Sequence, residues 1–259
     1  IMESTTNAAT MDNPEKLNVL SLVRIACAFA LAGFSLYTAF FGIMSDMIQR
    51  SVPAYASLIS AIGVLAGRYA QEDSHCYDLG SSLGAVTLAM RQRVNVTNCD
   101  IIAVDSSQEM VKKGLALIQA DTVSTVPVEM LCADILDIKV EQASVVVMNY
   151  TLQFIPVAQR LDLIKKIYQG LKPGGALILS EKLAFDDAKE QDFYTEAHHD
   201  FKRANGYSDL EISQKRTALD NVLIPETLIC HQKRLSDAGF DFSTQWFQCF
   251  NFASMIAIK

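Results

Sequence analysis

Absences narrow this chain first. None of its six cysteines (Cys27, Cys76, Cys99, Cys132, Cys230 and Cys249) forms a Cys-x-x-Cys pair, and its four histidines show no ligand spacing. No metal site is therefore expected, and cysteines set inside apolar runs point to a reducing compartment. An excess of basic charge is also missing: the net charge is −7, which argues against a broad basic face for nucleic acid. There is no internal repeat, no low-complexity tract and no Gly-x-Gly-x-x-Gly fingerprint. Asn95-Val-Thr97 fits the glycosylation sequon, which in a cytosolic protein would be inert.

What is present is apolar. Half of the 259 residues are hydrophobic, enough for one sizeable core. Residues 1–16 are polar and small, and a disordered start is expected there. Ile25 to Met44 carries no charge and follows Lys16 and Arg24, without a clear small-x-small cleavage site. Its length is roughly that needed to span a bilayer. The run reads equally as an anchor on the cytoplasmic face of an inner membrane or as a helix buried on the core. We therefore set residues 1–45 apart as an atypical N-terminal segment and assign 46–259 to one α/β domain.

Within that domain, Tyr55–Ala66 is apolar at helical spacing after Pro53. Cys76-Tyr-Asp-Leu-Gly-Ser-Ser-Leu-Gly84 reads as a strand (about 75–79), a glycine turn and a helix to about residue 92. Further strands are expected at 99–105, 126–132, 143–149 and 176–181, the fourth so rich in β-branched residues that both its faces should be buried. A helix over 157–171 should stop at Lys172-Pro-Gly-Gly175. Residues 185–223 form a charged helical insertion, 226–238 another helix, and 240–247 with 249–258 a closing hairpin. Strands alternating with helices predict a mostly parallel sheet covered on both faces.

In such a sheet, ligands sit beyond the carboxyl ends of the strands. Four strands deliver polar groups there: Asp78 with Gly80, then Asp105, Asp134 and Asn149. A carboxylate after the second strand can accept from both hydroxyls of a ribose. Asp134 is placed to accept from an exocyclic amine of a purine, with Ile135 as an apolar wall. Any one such acid is more often a helix cap; all of them in register are hard to explain by capping.

The arrangement resembles the class I S-adenosylmethionine-dependent methyltransferases, a Rossmann-like α/β fold, and includes their Pro-Gly-Gly turn before strand five. Their usual Gly-x-Gly-x-Gly turn reads Gly80-Ser-Ser-Leu-Gly84 here. More specific stretches are Asp46-Met-Ile-Gln-Arg-Ser-Val-Pro53, Asn149-Tyr-Thr-Leu-Gln-Phe154, His199-Asp-Phe-Lys-Arg-Ala-Asn-Gly-Tyr207, Glu211-Ile-Ser-Gln-Lys-Arg216 and Trp246-Phe-Gln-Cys-Phe-Asn-Phe252. With these the chain resembles the carboxy-S-adenosyl-L-methionine synthase family from about Asp46 onward. Residues 1–45 depart from the family's shorter, more polar lead.

The resemblance implies that the methyl carbon of S-adenosyl-L-methionine gains a carboxyl group from prephenate, for later carboxymethylation of a tRNA wobble uridine by a partner enzyme. It also implies a homodimer without direct nucleic-acid binding. It places S-adenosyl-L-methionine contacts at Tyr55, Gly80, Ser81 (where the family usually has cysteine), Ser82, Asp105, Ser106, Asp134, Ile135, Asn149 and Arg216. Arg216 is the expected catalytic clamp, because a guanidinium can grip a carboxylate with two parallel bonds. The 185–223 insertion is the expected lid. An ordinary methyltransferase and a membrane-tethered binder of S-adenosylmethionine without turnover are the alternatives.

Overall fold

The structure, a computed structural model, describes residues 47–219 and 222–259. The expected disordered start, the apolar 25–44 run and Cys27 lie outside the described residues. Among the described residues no helix is long and apolar enough to cross a membrane. In chain order the elements are α1 (Tyr55–Tyr69), β1 (Ser74–Leu79), α2 (Ala85–Arg91), β2 (Cys99–Asp105), α3 (Gln108–Ala120), β3 (Val128–Cys132) and β4 (Ala143–Asn149). They continue as α4 (Val157–Gly170), β5 (Leu171–Lys182), α5 (Ala188–Ala204), α6 (Asp209–Leu219), α7 (Leu228–Ala238), β6 (Phe242–Cys249) and β7 (Phe252–Ile258).

The strands form one seven-stranded sheet in the order β3-β2-β1-β4-β5-β7-β6. β1 to β5 run parallel, while β7 is antiparallel to β5 and β6 antiparallel to β7. This is the class I methyltransferase-like Rossmann fold with its closing hairpin. The crossover rule explains it, since each parallel pair needs a helix to return the chain.

Because side chains alternate along a strand, β4 feeds two cores. Val145 and Val147 join Leu58, Ile62, Ala66, Val86 and Met90 under α1 and α2. Val146 and Met148 join Leu163, Ile164, Ile167 and Leu235 under α4 and α7. Leu58, Ile62 and Ala66 recur every four residues, which gives α1 one apolar stripe. That stripe seats tightly, for a Cβ on Gly63 would lie 2.6 Å from the Ala89 carbonyl oxygen of α2.

Two boundaries differ from expectation. β3 begins at Val128, because Pro127 has no N–H for the ladder, although its carbonyl accepts from Ile101 at 2.9 Å. Lys172-Pro-Gly-Gly175 opens β5 instead of standing as a separate stop. The chain end explains this: Gly174 donates to the Lys259 carbonyl at 2.7 Å, and Lys259 donates back to Gly175 at 3.0 Å.

Residues 185–223 contain α5 and α6. Asp187 caps α5 by accepting from the Glu190 N–H at 2.9 Å. Ser208 and Glu211 form a reciprocal capping box at the start of α6, with bonds of 2.8 and 3.3 Å. The pair docks on the residues before α1. Arg50 Nε donates to the Asn205 carbonyl at 2.6 Å, Tyr207 donates to the Met47 carbonyl at 3.2 Å, and His198 Nε2 donates to the Ser51 carbonyl at 2.8 Å.

Candidate active site at the carboxyl edge of the sheet

The chain leaves β1 through a turn that only glycine can open. Gly80 has φ +89°, and a Cβ there would lie 2.3 Å from Thr151 Oγ1. Gly80 and Ser81 both donate to the Val104 carbonyl at 2.9 Å, which pins the turn to β2. Ser82 also holds a left-handed φ of +50°, a conformation uncommon for a residue with a Cβ. Its N–H donates to Asp105 Oδ2 at 2.9 Å, and Ser107 donates to Asp105 Oδ1 at 2.9 Å. The Asp105 carboxylate thus joins the turn to the start of α3 and keeps lone pairs for a diol. Ser106 beside it is exposed.

The other expected residues separate into two groups. Asn149 ends β4 beside β1 and β5, where its Oδ1 is buried without a partner. Ser81 Oγ is likewise buried and unpartnered. Buried polar atoms are nearly always satisfied, so these two fit a ligand that brings its own donors. Asp134 lies one strand farther out, exposed, with Oδ1 accepting from the Leu136 N–H at 2.9 Å. Ile135 turns inward and is buried in the core at 7% exposure.

Tyr55, at the start of α1, lies near Asp78, and burial followed by the charge on Asp78 pushes its hydroxyl up to about 12. Asp78 itself is buried and accepts from Thr87 Oγ1 at 2.6 Å. Burial raises its carboxyl to about 7 despite that bond. Asp78 therefore braces β1 against α2.

Sequence reasoning missed three neighbours. Tyr150 stands in the left-handed region at φ +59°, and its buried hydroxyl has no partner. Glu181 near the end of β5 is buried, and its Oε1 accepts from the Leu152 N–H at 3.0 Å. Burial raises it to about 8, with Arg160 opposing. Phe252 opens β7 and packs edge-on against both Tyr150 (5.6 Å) and His198 (4.8 Å). It thereby joins the carboxyl edge to the 185–223 insertion. A polar residue at or just past the end of a buried apolar run was the available signal for Tyr150 and Glu181; nothing local marks Phe252.

Arg216 lies on α6 and is exposed, with its charge close enough to His199 to disfavour protonation of that ring. Among the described residues Arg216 makes no hydrogen bond or ion pair with Asp105 or Asn149. On α5, His198 packs on Phe252, whose ring also meets Tyr150, the residue after Asn149. Burial, then the charge of Lys202, holds His198 down to about 3, so it stays neutral while donating to Ser51.

With this geometry in place, the family described as methyltransferase domain matches residues 77–175. The chain is 64% identical over 217 residues to a carboxy-S-adenosyl-L-methionine synthase of Citrifermentans bemidjiense, covering 84% of this chain and 89% of that one. The synthase of Geobacter metallireducens matches to the same extent, 64% over 217 residues. Among solved structures, a SAM-dependent methyltransferase from Methanosarcina mazei superposes with a TM-score of 0.54 at 16% identity, covering 75% of this chain and 96% of that one. That likeness concerns the fold.

Proposed function

Since the chain belongs to the carboxy-S-adenosyl-L-methionine synthase family, we propose that it converts S-adenosyl-L-methionine and prephenate into carboxy-S-adenosyl-L-methionine and phenylpyruvate. The product would supply a tRNA carboxymethyltransferase acting on a wobble uridine. One observation carries the reading: the identity with these synthases extends well beyond the 77–175 stretch shared with methyltransferases at large.

The residues present suit the first substrate. Asp105 offers acceptors for the ribose hydroxyls, and the Gly80–Ser82 turn leaves room for backbone approach. Ser81 Oγ and Asn149 Oδ1 lack partners until polar groups of the ligand reach them. Tyr55 and Ser106 flank that space, and Asp134 with Ile135 ends it on the β3 side.

The reaction balances without a strong protein base. Prephenate loses carbon dioxide and hydroxide as its ring becomes aromatic. Hydroxide takes a proton from the sulfonium-activated methyl group and leaves as water. The methyl carbon then bonds to the carbon dioxide. Both small species must be kept from bulk water, so enclosure and positioning supply the catalysis. In this reading α5 and α6 are the lid, and Arg216 grips the new carboxylate when the lid closes. The working form is a cytoplasmic homodimer, which light scattering tests.

The deciding experiment is mass spectrometry of the nucleoside after incubation with both substrates. The expected result is a species heavier by one carboxyl group that appears only with prephenate. Unchanged S-adenosyl-L-methionine, or methyl transfer to another acceptor, would overturn the proposal.

A further inference from the structure

Three lysines converge where the insertion meets the sheet. Lys202 is on α5, one turn after His198, with only 9% of its surface exposed. Lys182 ends β5 directly opposite Phe252, the residue whose ring packs on His198. Lys215 on α6 reaches Ser51 Oγ at 3.4 Å, next to the carbonyl that His198 holds, and stands 5.3 Å from the Tyr207 ring centre. Arg50 lies 4.9 Å from the centre of the same ring.

No carboxylate among the described residues forms an ion pair with Lys202 or Lys215. Burial, then the charges of Lys182 and Lys215, holds Lys202 down to about 8. Lys202 and Lys215, partly buried and without a carboxylate partner among the described residues, repel each other and lose hydration. Such an arrangement suits an anion delivered from outside. The Tyr150–Phe252–His198 chain of rings links it to the end of β4, where Asn149 stands, from the β5–β7 side of the sheet, away from Asp105 and Asp134.

We propose that Lys202 and Lys215, with Lys182 beside them, form the carboxylate subsite for the second substrate, and that they hold the side-chain carboxylate that phenylpyruvate retains. The inference rests on the proposed synthase function. Its choice between the two prephenate carboxylates follows from the chemistry. The ring carboxylate must depart as neutral carbon dioxide, and an ammonium contact would stabilise it before reaction and raise the barrier. The side-chain carboxylate keeps its charge throughout, so gripping it positions the ring without that penalty.

The test uses full-length protein and the variants Lys202→Met, Lys215→Met and Lys202→Arg. Steady-state rates are measured against prephenate, with phenylpyruvate as inhibitor and S-adenosyl-L-methionine affinity measured separately. Each methionine variant should raise KM for prephenate by about tenfold or more, the equivalent of one lost charged contact. It should weaken phenylpyruvate inhibition in parallel and leave S-adenosyl-L-methionine affinity unchanged. Lys202→Arg should recover part of the loss. An unchanged KM in both methionine variants overturns the subsite. A raised KM with unchanged phenylpyruvate inhibition overturns the carboxylate assignment. If wild-type protein forms no carboxylated product, the synthase reading fails by itself. Calorimetric titration of phenylpyruvate into wild type and Lys202→Met then decides the anion site: equal or absent binding refutes it.

Discussion

Ser82 donates its backbone N–H to Asp105 Oδ2 across 2.9 Å, so the turn after β1 and the end of β2 are one unit. The second carboxylate oxygen accepts from Ser107, the residue that caps α3. Asp105 therefore orders the turn and the start of α3, and in the proposed function its remaining lone pairs meet the ribose diol. Asp105→Ala should weaken S-adenosyl-L-methionine binding by about a hundredfold and lower stability by about 1–3 kcal/mol as two N–H groups lose their acceptor. Asp105→Asn keeps one acceptor oxygen and should lose less stability. Calorimetry and denaturant titration read the two effects separately; equal stability in all three proteins would contradict the bracing role.

Gly80→Ala places a methyl group 2.3 Å from Thr151 Oγ1 at a φ of +89°. Strain and overpacking together should cost about 2–4 kcal/mol and abolish ligand binding. A soluble, fully stable Gly80→Ala protein in a urea titration would show that the turn is looser than drawn.

Arg160 has no exposed surface and ties three carbonyls together. Nε donates to Ile155 at 2.8 Å, and Nη2 donates to Gln153 at 3.1 Å and Ile224 at 2.9 Å. Its Nη1 pairs with Glu226, which Arg234 also holds at 2.5 Å. Burial alone would raise Glu226, but hydrogen bonds from Cys230, Arg160 and Arg234 hold it down to about 2. This knot fastens the chain returning from α6 to the start of α4. Arg160→Met should destabilise by about 3–5 kcal/mol, the usual loss when one member of a buried pair is removed. Thermal unfolding gives the value, and a shift within error would mean that the knot contributes nothing net.

Asp78 and Glu181 carry folded-state pKa values near 7 and 8, both raised by burial above their unfolded values. The unfolded chain releases these protons first as pH rises. Stability should therefore be highest below about pH 4, as far as these groups decide it, and fall until pH passes 8. Glu181→Gln should roughly halve that slope between about pH 4.5 and 7 and remove it between 7 and 8. An identical stability–pH profile for wild type and Glu181→Gln would place the titration elsewhere.

Arg216→Ala should abolish the carboxylated product while leaving S-adenosyl-L-methionine binding within about threefold. Arg216→Lys should remain impaired, since an ammonium cannot make the two parallel bonds. Product formation at the normal rate by Arg216→Ala, measured by mass spectrometry, would remove Arg216 from the reaction.

The sequence by itself determined the order of strands and helices, the glycine turn, and the placing of Asp105 and Asn149 at strand ends. These are local properties: apolar periodicity sets the elements, and a polar residue ending an apolar run falls at the sheet edge. Non-local packing decided the rest. Asp134 and Asp105 look equivalent along the chain and each accepts from the N–H two residues on, yet only Asp105 also accepts from the glycine turn, and Ile135 is buried where Ser106 is exposed. Only the insertion of β7 beside β5 sets Phe252 opposite Lys182, and only the docking of α5 on Ser51 buries Lys202 near it. A charge on a polar helix reads as solvated in sequence. Desolvation and mutual repulsion arise when distant segments close over it, and tertiary structure alone supplies them.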